Sequence, residues 1–260
     1  MKVVILCGGQ GARLREETEY RPKPMVEIGG RPILWHIMKI YSHYGFDDFV
    51  LCLGYKGNVI REYFLDYRAM NSDFTIRLGP TPKVTYHNQE VVEHWQVTLA
   101  ETGIETMTGA RLARIARFLK GGTFMLTYGD GVANINIRDL LAFHRSHGKL
   151  VTVTGVRPPS RFGEMEVRNR RVVAFNEKPQ VSQGLINGGF FVMEPEFLRY
   201  CQTDSDCVLE QEPLRNCAED GQLMVYRHGG FWQPMDTFRE YQLLNRLWAS
   251  GKAPWKMWKD

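Results

Sequence analysis

The chain has 260 residues, with 33 Lys and Arg against 29 Asp and Glu, for a formal net charge of +4. Hydrophobic residues at 43% and charged residues at 24% give the ordinary balance of a globular protein with a substantial core. The surplus charge is spread without a dense basic run, which argues against nucleic acid as the main partner, and no apolar stretch approaches the ~20 residues of a membrane span.

In chain order, residues 3–7 form an apolar run of strand length that leads straight into Gly8-Gly9-Gln10-Gly11-Ala12-Arg13-Leu14. The glycines cut that run too early for a signal sequence. Residues 33–41, opening after Pro32, read as a helix with a buried face. A second apolar strand over 48–53 and a helix over 58–67 follow. Residues 96–99 read as a strand, and 109–119 are amphipathic at helical period. A strand over 123–127 ends at Tyr128-Gly129-Asp130, followed by a helix over 137–147 and a strand over 150–156.

Strands alternating with helices predict an α/β fold: a doubly wound, mixed but mainly parallel sheet with small hairpin excursions. One excursion covers about residues 70–94, a polar stretch containing Pro and Gly, and another is a hairpin over 164–175 that turns near Asn169. With no internal repeat and no low-complexity linker, residues 1–260 read as one domain. The five cysteines, Cys7, Cys52, Cys201, Cys207 and Cys217, form no Cys-x-x-Cys pair and no zinc spacing. An odd count without a framework fits a reducing cytosol and predicts a cytoplasmic protein.

The glycine loop after the first strand carries the strongest chemical signal. Without Cβ atoms, its backbone N–H groups can approach a ligand closely, and Arg13 and Lys23 add two cations at the same mouth. That set suits a polyphosphate. The loop is not a P-loop, since no Lys-Ser/Thr follows Gly11, and its glycines do not fit the dinucleotide spacing. Lys23 stands between Pro22 and Pro24, which predicts an extended backbone there.

In open α/β sheets ligands collect beyond the carboxyl ends of strands. Asp130, between Gly129 and Gly131, falls at such an end and can reach a cation that also holds phosphate oxygens. No Asp-x-Asp follows it, so a second carboxylate must come from elsewhere, and Asp236 is the best candidate. Asp236 also reads as the N-cap of a helix over 237–248. Downstream, Glu177 and Asn187 are suited to sugar hydroxyls, and Lys178 to a sugar phosphate.

The motifs Gly8 to Leu14 and Arg21-Pro22-Lys23-Pro24 together resemble the signature of the sugar-1-phosphate nucleotidyltransferases. Thr127-Tyr128-Gly129-Asp130-Gly131, Glu177-Lys178-Pro179, Ile186-Asn187-Gly188-Gly189 and Trp232 to Thr237 continue the likeness over essentially the whole chain. Met25 to Gly30, Val97-Thr98-Leu99 with Thr102-Gly103, Met107 to Arg111 and the tail from Gly251 to Lys256 resemble the branch that joins CTP to glucose 1-phosphate, giving CDP-glucose. The resemblance implies that Leu6, Cys7, Gly8, Gly9, Gln10, Gly11, Ala12 and Arg13 bind the nucleotide, and that Lys23 contacts phosphates. It places Thr106, Arg111 and Gly129 in the nucleotide pocket, and Lys178, Asn187, Glu177 and Gly188 at the sugar phosphate. Asp130 and Asp236 are implied to hold Mg²⁺, and the assembly to be a homo-oligomer, a hexamer. Ala12 departs from the Thr usual at that position, losing a hydroxyl but keeping the backbone N–H.

The implied reaction needs no general base. Its nucleophile is a phosphate oxygen whose second ionisation lies near pH ~6, so it is already anionic at neutral pH. The obstacle is repulsion between two polyanions, which aligned cations remove in an in-line displacement. Arg13, Lys23 and Asp130 are therefore the expected catalytic residues. A uridylyl- or thymidylyltransferase on the same sugar phosphate and a glycosyltransferase of similar sheet remain alternatives.

Overall fold

Strand β1 (Lys2–Leu6) has no polar side chain after Lys2, and Val3, Val4 and Ile5 are fully buried. Both of its faces must therefore be covered, as in parallel sheets flanked by helices. This computed structural model describes residues 1–11, 14–87, 93–158, 164–168, 171–176 and 184–259. After β1 come α1 (Ile33–His43), β2 (Asp48–Leu53), α2 (Gly57–Leu65), β3 (Gln96–Glu101), α3 (Thr108–Arg114), β4 (Phe124–Tyr128) and β5 (Gly131–Ala133). The second half holds α4 (Ile137–His147), β6 (Val151–Val156), β7 (Ile186–Met193), α5 (Glu212–Glu219), β8 (Leu223–His228), β9 (Trp232–Pro234) and α6 (Phe238–Ala249).

Seven of these strands form one sheet in the order β8-β6-β7-β4-β1-β2-β3. Pairs β1–β2, β1–β4, β2–β3 and β6–β8 are parallel, whereas β7 runs antiparallel to both β4 and β6. The sheet is thus mixed and mainly parallel, as the alternating pattern predicts. The two-residue period of β1 divides the core. Val3 and Ile5 pack with α1 on one face, and Val4 and Leu6 pack with Leu112 of α3 and Phe191 on the other.

Asp48–Leu53 and Ile137–His147 occupy the spans their periodicity predicts. The helix expected over 109–119 divides into α3 and a 3-10 turn over Ala116–Phe118. The 70–94 excursion is a hairpin, Phe74–Arg77 with Lys83–Tyr86, that stands apart from the main sheet. The second excursion pairs Glu164–Arg168 with Arg171–Asn176, while the turn expected at Asn169 lies outside the described residues. Among the described residues no helix is long and apolar enough to cross a membrane.

Candidate active site

The glycine loop leaves the carboxyl end of β1 and is pinned from both sides. Cys7 N–H donates to Cys52 O, Gly129 N–H donates to Leu6 O, and Tyr55 N–H donates to Gly8 O. Beneath it lies Arg111 of α3, only 3% exposed. Its guanidinium donates to Leu53 O, Thr102 Oγ1, Gly103 O, Gly8 O and Ile104 O at 2.7 to 3.2 Å. A Cβ at residue 8 would fall 2.1 Å from Arg111 Nη1, so glycine is required where that guanidinium passes. Burial lowers the Arg111 pKa, and Cys52 and Glu101 oppose the shift. Arg111 lines the cavity beside this loop, but its donors are committed to the loops that shape that cavity. Sequence position alone could not reveal that role.

Lys23 sits across the mouth. Its backbone differs from the extended form expected between prolines: Lys23–Met25 is a 3-10 turn, closed by Met25 N–H donating to Pro22 O. Pro22 is the residue with extended backbone, at φ −69° and ψ 153°. The turn aims Lys23 Nζ at Asp130 Oδ2, 2.6 Å away, and at Asp236 Oδ1, 2.5 Å away. These carboxylates lie 107 and 213 residues further along the chain. Burial by itself would lower the Lys23 pKa, but attraction to Asp130 and Asp236 outweighs it and the net shift is upward. The ammonium is therefore charged at neutral pH.

A two-stranded ribbon brings the carboxylates together. In it β5 pairs antiparallel with β9, Gly131 facing Pro234, and Met235 N–H donates to Asp130 O. Asp236 is not the helix cap that its position suggests. Thr237 caps α6 in a capping box with Glu240, whose carboxylate accepts from both Asp236 N–H and Thr237 N–H. With the cap supplied by its neighbour, the Asp236 side chain reaches the Lys23 ammonium.

Two cavities meet at these acids. The first, about 460 Å³, is lined by Leu6 to Gly11, Lys23, Thr106, Met107, Thr108, Arg111, Gly129, Asp130 and Asp236, among others. The second, about 260 Å³, is lined by Thr127, Tyr128, Asp130, Gly131, Asn187, Gly188, Gly189, Trp232, Pro234 and Asp236. The expected residues Leu6, Cys7, Gly8, Gly9, Gln10, Gly11, Thr106 and Gly129 thus share the first cavity, and Asn187 and Gly188 share the second. Gly129 is also needed sterically, since a Cβ there would lie 2.9 Å from Leu6 O and from Pro24 Cγ. Ala12, Arg13, Glu177 and Lys178 lie outside the described residues.

Sequence reasoning gave Tyr128 and Trp232 no role at the site. Tyr128 lines both cavities, and Trp232 Nε1–H donates to Gly188 O at 2.7 Å. Both belong to motifs already quoted, Thr127 to Gly131 and Trp232 to Thr237, and an aromatic residue within each was the available signal.

The arrangement is one of cations and carboxylates around two adjoining clefts at strand ends, and the chain that builds it is similar to known proteins over its full length. The chain is 50% identical over 260 residues to a glucose-1-phosphate cytidylyltransferase of Salmonella typhimurium, covering 100% of each. It is 46% identical over 258 residues to a probable glucose-1-phosphate cytidylyltransferase of Bacillus subtilis, covering 99% of this chain and 100% of the relative. Among solved structures, a putative glucose-1-phosphate thymidylyltransferase from Bacillus anthracis superposes with a TM-score of 0.69 at 18% identity, over 95% of this chain and 94% of that one, and so shares the fold. The family model described as nucleotidyl transferase matches residues 2–249, and this chain belongs to that family.

Proposed function

We propose that the protein transfers a cytidylyl group from CTP to α-D-glucose 1-phosphate, giving CDP-glucose and pyrophosphate. The observation that carries this reading is the meeting of two cavities at Asp130 and Asp236, with Lys23 Nζ between those carboxylates. The larger cavity, backed by the glycine loop, is of a size to hold a nucleotide, and the smaller one a sugar phosphate. The choice of CTP and glucose 1-phosphate draws on the relatives that share half their residues with this chain and carry that activity in their names.

In this reading the sugar phosphate enters beside Asn187 and Gly188, with its phosphate directed toward Asp130 and Asp236. The nucleotide lies along Gly8 to Gly11, where backbone N–H groups face the phosphates. The attacking phosphate oxygen is already ionised, so no side chain has to remove a proton. Lys23 neutralises charge near the α-phosphorus, and Arg13 takes the leaving pyrophosphate. Preorganised charge of this kind acts without reorganising during the reaction.

Asp130 Oδ2 and Asp236 Oδ1 both lie against the Lys23 ammonium, so two carboxylates, hard oxygen donors, stand side by side where the cavities meet. That set fits Mg²⁺, which commonly takes one or two carboxylates plus substrate phosphates. Asp130 and Asp236 would hold it. When bound, the ion supplies positive charge to the phosphate oxygens that Lys23 does not reach.

The experiment is pyrophosphate release from glucose 1-phosphate with each of CTP, UTP, dTTP and GTP. CTP is expected to dominate; turnover with UTP or dTTP in its place moves the assignment to a uridylyl- or thymidylyltransferase. The same reading carries a homo-oligomer, hexameric by family resemblance. It is supported by the apolar side chains Phe74, Ile76, Leu78 and Val84, which the 74–86 hairpin holds exposed. Light scattering is expected to give a mass several times that of one chain, and a charged substitution such as Ile76→Asp to reduce it.

A further inference from the structure

One exposed carboxylate outside both cavities is wired to each of them. Glu210 lies in the loop before α5 and lines neither cavity. Its Oε2 accepts from Thr108 Oγ1 at 2.7 Å, at the N-terminal end of α3 in the nucleotide cavity. Its Oε1 accepts from the Tyr128 hydroxyl at 2.5 Å, and that hydroxyl accepts in turn from Asn187 Nδ2 at 2.9 Å. The chain of contacts closes on the backbone, since Asn187 Oδ1 accepts from Gly189 N–H at 2.8 Å.

The direction of each bond follows from donor counting. An ionised carboxylate can only accept, so Glu210 draws the single hydroxyl hydrogen of Tyr128 toward itself. The phenol oxygen is left as an acceptor, and it holds one N–H of Asn187. With its oxygen tied to Gly189 N–H and one N–H to the phenol oxygen, the Asn187 amide is fixed at both ends, and its second N–H remains for the cavity that Asn187 lines. Burial first, and then the Glu210 carboxylate, push the Tyr128 phenol well above its ordinary range, which keeps the hydrogen in place. Leu209 N–H donates to Thr108 Oγ1, so the Thr108 hydrogen is likewise directed at Glu210.

Resting on the cytidylyltransferase reading, we infer that Glu210 is a positioning residue for the sugar-phosphate subsite. Through Tyr128 it fixes Asn187 as a hydrogen-bond donor toward the oxygens of the incoming sugar 1-phosphate. Through Thr108 it ties that orientation to the wall of the nucleotide cavity. Without Glu210 the Tyr128 hydroxyl is no longer held as an acceptor, and one of the two bonds that fix the Asn187 amide is weakened.

The test is steady-state kinetics on the full chain, varying glucose 1-phosphate at saturating CTP and the converse. Glu210→Ala is expected to raise KM for glucose 1-phosphate about tenfold, with kcat and the KM for CTP changed by less than about threefold. Glu210→Gln, whose amide oxygen still accepts from Tyr128, is expected to recover most of that loss. Tyr128→Phe keeps the ring but breaks the relay, and adding Glu210→Ala to it is expected to cost nothing further. A KM for glucose 1-phosphate unchanged in Glu210→Ala, or effects of Glu210→Ala and Tyr128→Phe that simply add, overturns the inference. If Glu210→Ala does not fold, Tyr128→Phe decides it, and a KM for glucose 1-phosphate unchanged in that variant overturns the inference. A wild-type protein that releases no pyrophosphate from glucose 1-phosphate with any nucleotide overturns the functional reading itself, and this inference with it. Wild-type turnover with an insensitive Glu210→Ala overturns the inference alone.

Discussion

Lys23 Nζ lies 2.5 Å from Asp236 Oδ1, joining the turn that follows the glycine loop to the segment after the last strand. Asp130 shares the same ammonium at 2.6 Å. With a side chain only 11% exposed, Lys23 is a cation held in place before any substrate arrives. Its charge is the part of the proposed mechanism most directly open to mutation. Lys23→Ala is expected to lower kcat by about 10²- to 10³-fold, the scale of losing one preorganised charge at a transition state. Circular dichroism should show the fold retained. A kcat near wild type would remove Lys23 from the chemistry.

The neighbouring residues Asp236 and Thr237 separate function from stability. Thr237 caps α6, and Asp236 does not, so the two substitutions have opposite signatures. Thr237→Ala should cost about 1 kcal/mol of stability, as lost N-caps do, with turnover largely kept. Asp236→Asn should leave the cap intact and lower turnover by orders of magnitude. Thermal unfolding alongside a pyrophosphate assay distinguishes them. If Asp236→Asn destabilises more than Thr237→Ala, the assignment of the cap is wrong.

Arg111 supports the loop with a fork of donors that lysine cannot reproduce. Its two terminal nitrogens reach five acceptors, four of them backbone carbonyls at the cavity floor, and two of those, Leu53 O and Gly8 O, also accept from Thr102 N–H and Tyr55 N–H. An ammonium keeps the charge and loses the planar geometry. Arg111→Lys is expected to cost about 2 kcal/mol, or roughly 4 to 8 °C in Tm, through the loss of several charge-assisted bonds to buried carbonyls. It should also raise KM for the nucleotide, because Gly8 O is among the carbonyls released. An unchanged Tm would mean that the fork is dispensable.

These residues also show what a sequence can display. β2 and α4 were legible because their period and boundaries are local properties, set by Asp48 to Leu53 and by Asn136 capping Ile137–His147. Gly8 to Gly11, Lys23, Asp130 and Asp236 were legible because strand ends and glycines mark where a ligand can approach backbone. The direction of β7 was not, since parallel and antiparallel neighbours place the same demand on Phe190 and Phe191. The part played by Arg111 was hidden for a related reason. Which carbonyls surround a guanidinium depends on chain ends of β1, β2 and β3 meeting in space, and Gly8 and Leu53 lie 103 and 58 residues from Arg111 in the chain. The Lys23 turn and the cap at Thr237 are local, yet each depended on a tertiary partner to decide between two permitted conformations.

His36 gives the fold a pH dependence remote from the chemistry. It is fully buried in α1, its Nε2 2.8 Å from Ile28 O, its Nδ1 3.3 Å from Trp255 Nε1, and its ring packed at 4.6 Å against Trp248. Trp255 Nε1 can only donate, so Nδ1 accepts and Nε2 carries the hydrogen toward Ile28 O. Burial lowers the His36 pKa from 6.5 to about 4, only partly opposed by the backbone acceptors at Ile28 and Arg31. Between those values the unfolded chain binds a proton that the folded chain refuses. Stability therefore rises with pH across the window, and the neutral ring's contribution is lost as pH falls from 6.5 toward 4. The gap corresponds to about 3 kcal/mol at most. Carboxylates titrate in the same range, so the measurement is a comparison with His36→Gln, which has no proton to take up. Urea unfolding at pH 7, 5.5 and 4 should show the wild type losing about 2 to 3 kcal/mol more than the variant on acidification. Equal losses in the two proteins would mean that the aromatic cluster around His36 admits the charged ring.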